Sequence, residues 1–228
     1  MWRILSFSLV IACAFAAPGV KNAWAMNCPA PEQPQITLDV VEDPVQYDFS
    51  RDRTALNQMG STMLASRNTI GSSSYVGGLT NGTINSDMST ELQTLTSSDG
   101  SACVWVSSVK LRLHYQPVVY ISREFVEGSC YHTAVLEHEH KHVAVDLALM
   151  QSFAPQLQQA IQAAAEQIHY GPFPAAQLES TGQNINQVMD AKLNESMSNL
   201  SAQRQAQQAQ VDVPQEYARV QALCRNWP

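Results

Sequence analysis

The chain has 228 residues, of which 45% are hydrophobic and 14% charged, with a net charge of −7. That acidic balance argues against binding nucleic acid or an anionic membrane surface, since both select for basic protein. The length suffices for one sizeable buried core.

The chain opens on a short positive region, Met1-Trp2-Arg3, followed by an apolar run over 4–17 and a small-x-small sequence, Ala23-Trp24-Ala25. This pattern predicts a cleaved export signal over 1–25, with Ala14-Phe15-Ala16 as an earlier cleavage alternative. The run is too short for a spanning helix. Val10-Ile11-Ala12-Cys13 resembles a lipoprotein box and ranks below simple cleavage, because little apolar chain precedes Cys13. Removing the signal takes Arg3 and Lys21 from 13 basic residues and none from 20 acidic ones, so the net charge falls from −7 to −9. No second long apolar run follows, so a soluble exported protein, periplasmic or secreted and without a transmembrane segment, is expected.

Beyond the signal, 27–34 is a proline-containing lead, 36–41 and 45–49 read as short strands, and 52–66 reads as a helix with Leu56, Met59, Met63 and Leu64 on its apolar side. Residues 71–85 are rich in Gly, Ser, Thr and Asn, which predicts turns around a short strand at 75–79. Ser97-Ser98-Asp99-Gly100 is a turn. Two strand-like runs follow, 104–115 and 118–125, with Gln116-Pro117 between them.

With Cys13 removed, Cys28, Cys103, Cys130 and Cys224 remain. An even count in an exported chain predicts two disulfides, with three connectivities open. The midpoint between Cys103 and Cys130 falls at Gln116-Pro117, so a hairpin there favours Cys103–Cys130 and leaves Cys28–Cys224 to join the two ends. None of the four sits in a Cys-x-x-Cys pair, which argues against zinc ligation by cysteine.

Most of the chemistry lies in His138-Glu139-His140-Lys141-His142. On a helix, residues i and i+4 share one face, so His138 and His142 can hold one metal ion together. Glu139 is then placed as the general base of a zinc hydrolase. The flanks support a helix: 131–150 has no Gly or Pro, and Ala134, Val135, Val145 and Leu149 supply apolar surface at helical spacing. His140 faces away from the pair and reads as a surface residue. His132 lies off the metal face, His114 reads as a partly buried structural histidine that could also approach the site, and Tyr120 and Tyr131 read as packing residues that could also reach a developing oxyanion.

After the motif, 153–168 reads as a second helix, with Pro155 as a break or first-turn residue. From 175 onward Ile185, Met189, Leu193, Met197 and Leu200 form one apolar stripe. That stripe predicts a long helix packed back on the core, with a partner-binding arm as the alternative. Pro214 precedes a short final helix.

Pro117-Val118-Val119-Tyr120-Ile121-Ser122-Arg123-Glu124-Phe125, Gly128-Ser129-Cys130-Tyr131 and Leu136-Glu137-His138-Glu139-His140-Lys141-His142 together resemble a poorly characterised family of bacterial secreted, zinc-dependent proteases. The region 200–217, with Arg204 and Val211-Asp212, is similar to that family's tail. The resemblance implies a zincin-like α+β fold, with a small antiparallel sheet packed on the metal-binding helix and a mainly helical C-terminal part. The residue pattern divides the chain into a signal (1–25), a metal-binding domain (26–174) and a helical extension (175–228), and the resemblance covers about 40–224 of it. The resemblance also implies that the strand over 118–125 is the edge that aligns a substrate backbone.

Catalytic zinc commonly takes three protein ligands and a water. Asp146 continues the i, i+4 series, but one more turn carries it about 6 Å along the axis. It is expected either as the third ligand or as an orienter of His142. Glu166 is the other carboxylate at a suitable separation, if the chain turns back between 152 and 155. Ala148 stands where a third histidine of the metzincin pattern would be. The function expected is an exported peptidase that uses a zinc ion (Zn2+) to cleave amide bonds of a peptide or protein substrate in the envelope or outside. The alternative is a non-catalytic zinc-binding or envelope interaction protein that meets a partner through the C-terminal helix.

Overall fold

The computed structural model describes residues 26–65 and 77–227. The signal, its cleavage sites, Cys13 and positions 75–76 of the expected short strand lie outside them.

The fold of the described residues is α+β, built on one sheet, two long helices and two short ones. In chain order the elements are β1 (Gln35–Glu42), β2 (Gln46–Asp48), α1 (Arg53–Ala65), β3 (Gly78–Thr96), β4 (Ser101–Ile121), α2 (Cys130–Gln167), β5 (His169–Pro174), a 3-10 turn (Ala175–Gln177), α3 (Leu178–Val211) and α4 (Pro214–Leu223). The expected strands at 36–41 and 45–49 correspond to β1 and β2, and the helix at 52–66 to α1. Asp52 caps α1 by accepting from the Ala55 amide at 2.8 Å, and Leu56 is fully buried.

β4 is the central strand, and the other four strands are arranged along its two edges. β3 runs antiparallel along its length, from Gly78 opposite Ile121 to Thr96 opposite Ala102. The other edge is tiled end to end by antiparallel β5, parallel β1 and parallel β2. The sheet is therefore mixed, where the sequence implied an antiparallel one.

The expected hairpin at Gln116-Pro117 does not form, because 104–121 is a single strand. Pro117 is tolerated because it falls opposite the gap between β1, which ends against Tyr115, and β2, which starts against Val118. That edge of the ladder is already interrupted there. The hairpin that does form uses the Ser97-Ser98-Asp99-Gly100 turn: Gly100 has φ of 82° and its amide donates to the Ser97 carbonyl at 3.0 Å. It joins β3 to β4. A bulge at Ser107, where Glu91 pairs Ser108 and Leu92 pairs Val106, flips the alternation of β4. Ala102, Val104 and Val106 face the core before it, and Val109, Leu111, Leu113 and Tyr115 after it.

The loss of that hairpin also changes the disulfides. Cys28 pairs with Cys103, and Cys130 with Cys224; the expected Cys103–Cys130 and Cys28–Cys224 bonds are absent. With β4 extended, Cys103 and Cys130 lie at opposite ends of a long strand. Each is bridged instead to the chain terminus that passes it.

α2 is one helix of 38 residues, roughly 57 Å long. Ser129 caps it by accepting from the His132 amide at 3.2 Å. Pro155 lies within it, on an exposed position, and does not end it. Phe153, Leu157 and Ile161 keep the flanking turns buried. The stripe on α3 also faces inward: Ile185, Met189 and Leu200 join the same apolar cluster as β4 and α2. Among the described residues, no helix is long and apolar enough to cross a membrane.

Candidate metal centre

α2 carries His138 and His142 on one face, one turn apart, with ring centroids 5.0 Å from each other. α3 ends one residue before Asp212, and Pro214 starts α4 by blocking continuation of the helix. That break turns the Asp212 carboxylate onto the two rings. Asp212 Oδ1 lies 3.3 Å from His138 Nε2 and 3.2 Å from His142 Nε2. One ligand atom from each of the three residues lies within 4.8 Å of the others. Ligands held about 2.0–2.2 Å from a tetrahedral ion stand roughly 3.4 Å apart, so two imidazoles and one carboxylate at these separations fit such an ion.

The third position is therefore filled by neither carboxylate expected from the sequence. Asp146 is fully buried one turn beyond His142, and its oxygens are held by others. Arg204 Nε and Nη2 donate to Oδ1 and Oδ2 at 2.7 and 2.6 Å, Tyr115 Oη donates to Oδ2 at 3.0 Å, and Gln208 Nε2 donates to Oδ1 at 2.7 Å. The axial offset of a helical turn separates it from the His138–His142 pair, as the geometry of a straight helix requires. Glu166 sits near the far end of the same unbroken helix, roughly 36 Å along the axis from His142. It is exposed and accepts from Gln33 Nε2 at 2.9 Å.

Each ring is gripped at its second nitrogen. His142 Nδ1 is 2.5 Å from Gln208 Oε1, and His138 Nδ1 is 3.4 Å from Glu216 Oε1. Glu216 also accepts from Lys141 Nζ at 2.6 Å and Arg219 Nη2 at 2.8 Å. Tyr217 Oη donates to Asp212 Oδ1 at 2.8 Å, and its ring lies 5.6 Å from that of His138. The histidine side chains are only 8% and 12% exposed, whereas Asp212 is 43% exposed. Solvent thus reaches the cluster on the Asp212 side.

Burial works against charge on both rings, but the Asp212 carboxylate overrides it, lifting His142 to about 9 and His138 above its ordinary value. Burial alone would raise Asp212; hydrogen bonds from His138, His142 and Tyr217 prevail and hold it well below the usual carboxylate range. A divalent cation bound among these atoms would compete with protons for the ring nitrogens, so binding would release any that they carry.

Glu139 points to the sheet. Thr80 Oγ1 on β3 lies 2.9 Å from Glu139 Oε2 and 3.0 Å from its backbone carbonyl. Burial raises the Glu139 carboxyl above its ordinary range, against the pull of the neighbouring histidines and Thr80. The close approach of α2 to β3 depends on two glycines. A Cβ at Gly78 would stand 2.8 Å from Glu139 Oε1, and one at Gly82 would stand 2.8 Å from Asp146 Oδ2.

The remaining sequence candidates lie apart from the cluster. His140 is exposed, with Nε2 2.9 Å from Tyr47 Oη. His132 is buried edge-on to Phe49, and His114 pairs with Asp43 at 2.9 Å. Tyr131 Oη donates to the carbonyls of Arg225 and Asn226 at 2.6 and 2.7 Å, clamping the C-terminal segment to α2. The strand implied as the substrate edge, 118–125, is central over 118–121, paired by β2 on one side and β3 on the other. Among the described residues the outer edges of β3, β1, β2 and β5 are left unpaired, and β3 is the one that carries Thr80 against Glu139.

Sequence reasoning missed Asp212, Glu216, Gln208 and Thr80. Asp212 lies 70 positions after His142 and shares no local spacing with the motif. Its one trace was its place, with Arg204, in the segment similar to the protease family's tail. Compared with known proteins, the chain matches no family model, no curated protein and no solved structure.

Proposed function

We propose that this chain is an exported zinc-dependent metallohydrolase, a peptidase that cleaves amide bonds with an activated water. One observation carries the reading. His138 and His142, from adjacent turns of one helix, and Asp212, from the other end of the domain, each turn one donor atom toward a common point, with Glu139 next to His138 in the chain. Two imidazoles and a carboxylate leave a fourth position open to water or substrate. A zinc ion bound there would supply Lewis acidity and a water acidic enough to react near neutral pH.

The protein's own groups do the rest. Glu139, held by Thr80 at Oε2, would take a proton from the attacking water and deliver it to the leaving amine nitrogen. Glu216 and Gln208 keep the two rings from rotating. Tyr217 holds Asp212 in place against His138. An extended substrate backbone pairing with the open edge of β3 would lie along the strand that carries Thr80. Two disulfides support operation outside a reducing cytosol.

The test combines metal content with turnover on a mixed peptide library. Wild-type protein refolded with zinc should hold one ion per chain, and His138→Ala and Asp212→Ala should lose it. Glu139→Gln should keep the ion and lose roughly 10²–10⁴-fold in activity, the share of a general base. Cleavage by Glu139→Gln at the wild-type rate would defeat the mechanism. Several weakly held ions per chain, with indifference to Glu139→Gln, would point to zinc storage instead.

A further inference from the structure

Gln208 is only 8% exposed, and both ends of its amide are engaged. Its Nε2 donates to the His142 carbonyl at 3.0 Å and to Asp146 Oδ1 at 2.7 Å. Its Oε1 lies 2.5 Å from His142 Nδ1. An amide can in principle be turned over, exchanging its oxygen and nitrogen. The His142 carbonyl and Asp146 together forbid that here, because each only accepts. The Asp146 carboxylate is paired in two places with the Arg204 guanidinium and receives Tyr115 Oη as well. A carboxylate so paired offers only lone pairs, so the Gln208 atom facing it has to be the nitrogen. The oxygen is then left for His142, and an acceptor this close to Nδ1 requires a proton on that nitrogen.

We propose that Gln208, oriented by the Arg204–Asp146 ion pair, is a positioning residue that sets the tautomer of His142, with the proton on Nδ1 and the lone pair of Nε2 directed to the metal. The inference rests on the zinc reading of His138, His142 and Asp212. It also gives a task to Asp146, which lies on the motif helix, fully buried, and does not join the cluster. Its influence reaches His142 through the amide. Outer partners of a ligating histidine act by fixing which nitrogen is free and how the ring is turned.

Two variants test it in the full disulfide-bonded chain. Gln208→Leu keeps the volume and removes both polar ends. Asp146→Asn removes the charged acceptor that holds the Gln208 nitrogen and leaves the His142 carbonyl alone to orient the amide, so the contact of Oε1 with Nδ1 should loosen. Zinc affinity, measured by chelator competition, should fall about 10–100-fold in each. The double variant should be no worse than the weaker single one, because both act through one chain of contacts. In ¹⁵N spectra of histidine-labelled protein, His142 should show a hydrogen-bonded Nδ1–H in the wild type and lose it in Gln208→Leu. If Asp146→Asn fails to fold, with Arg204 left unpaired, Gln208→Leu and the spectra carry the test alone. Stoichiometric zinc in the wild type with unchanged affinity in Gln208→Leu would overturn the positioning role and leave the zinc reading intact. A wild-type His142 without a proton on Nδ1 would overturn the tautomer assignment. A wild-type chain that binds no zinc would sink the zinc reading, and the assignment would then stand only if His142, once singly protonated at alkaline pH, keeps its proton on Nδ1 and leaves Nε2 bare.

Discussion

Gly82 shows how a residue can carry one meaning in the sequence and another in the fold. Among Ser, Thr and Asn it reads as a turn former, yet it lies inside β3 opposite Pro117. A Cβ there would stand 2.5 Å from Tyr115 Cε2 and 2.8 Å from Asp146 Oδ2, both on buried side chains that cannot retreat. Glycine in a strand often marks such a close approach, and only the partner reveals which meaning applies. Gly82→Ala should therefore cost about 1–3 kcal/mol, the range for overpacking a filled core. Urea unfolding would register it as a lower midpoint, and an unchanged midpoint would mean that α2 does not sit so near the sheet. The residues of the candidate site divide in the same way. His138, Glu139 and His142 were legible because helical spacing alone groups them. Asp212 was not, since only the packing of α3 on α2 brings it to them.

At the scale of elements, two prolines taken as boundaries, Pro117 and Pro155, lie inside regular structure, whereas Pro214 does open α4. Pro117 sits where the far edge of the ladder is broken, and Pro155 where α2 is exposed. In each case long-range burial on both sides outweighs a local preference that the sequence expresses strongly. The α3 stripe was read correctly because 3.6-residue periodicity reports which face is buried, whatever covers it. β3 was not read beyond its start. Its inward positions, Ile84, Ser86, Met88, Thr90 and Leu92, alternate apolar with small polar residues, so the period of two is diluted. Pro155 offers a direct test. Inside a helix a proline loses one hydrogen bond and crowds the preceding turn, at a cost of up to about 3 kcal/mol relative to alanine. Because Pro155 is exposed, Pro155→Ala adds no core strain and should stabilise the protein by about 1–3 kcal/mol. Chemical denaturation would show this as a raised midpoint. No gain, or a loss, would mean that α2 needs the local irregularity of the proline.

At the scale of the whole molecule, the candidate metal centre is closed by the chain's last part. Asp212 and Glu216 belong to the segment that ends at Cys224, and Cys224 is bonded to Cys130, the first residue of α2. Tyr131 donates to the carbonyls of Arg225 and Asn226, and Trp227 packs 5.1 Å from the Tyr131 ring and 5.9 Å from Phe125. One end of the motif helix is thus clamped to the segment that carries the third donor. A cross-link spanning 94 positions restricts the unfolded chain enough to contribute about 2–4 kcal/mol. Cys130→Ser with Cys224→Ser should lower the melting temperature by roughly 4–16 °C for a chain of this size. It should also loosen the hold of Asp212 on the two rings, so that zinc leaves faster to a chelator. Because zinc bound only by the folded state stabilises it by mass action, excess zinc should recover part of the lost melting temperature. The matching variant, Cys28→Ser with Cys103→Ser, removes the bond from residue 28 to β4, which lies beside Gly171, past the end of α2 opposite to His138. It should cost comparable stability with no change in zinc release. Equal acceleration of zinc release in the two variants would trace the effect to general loosening of the fold, and not to the clamp that carries Asp212.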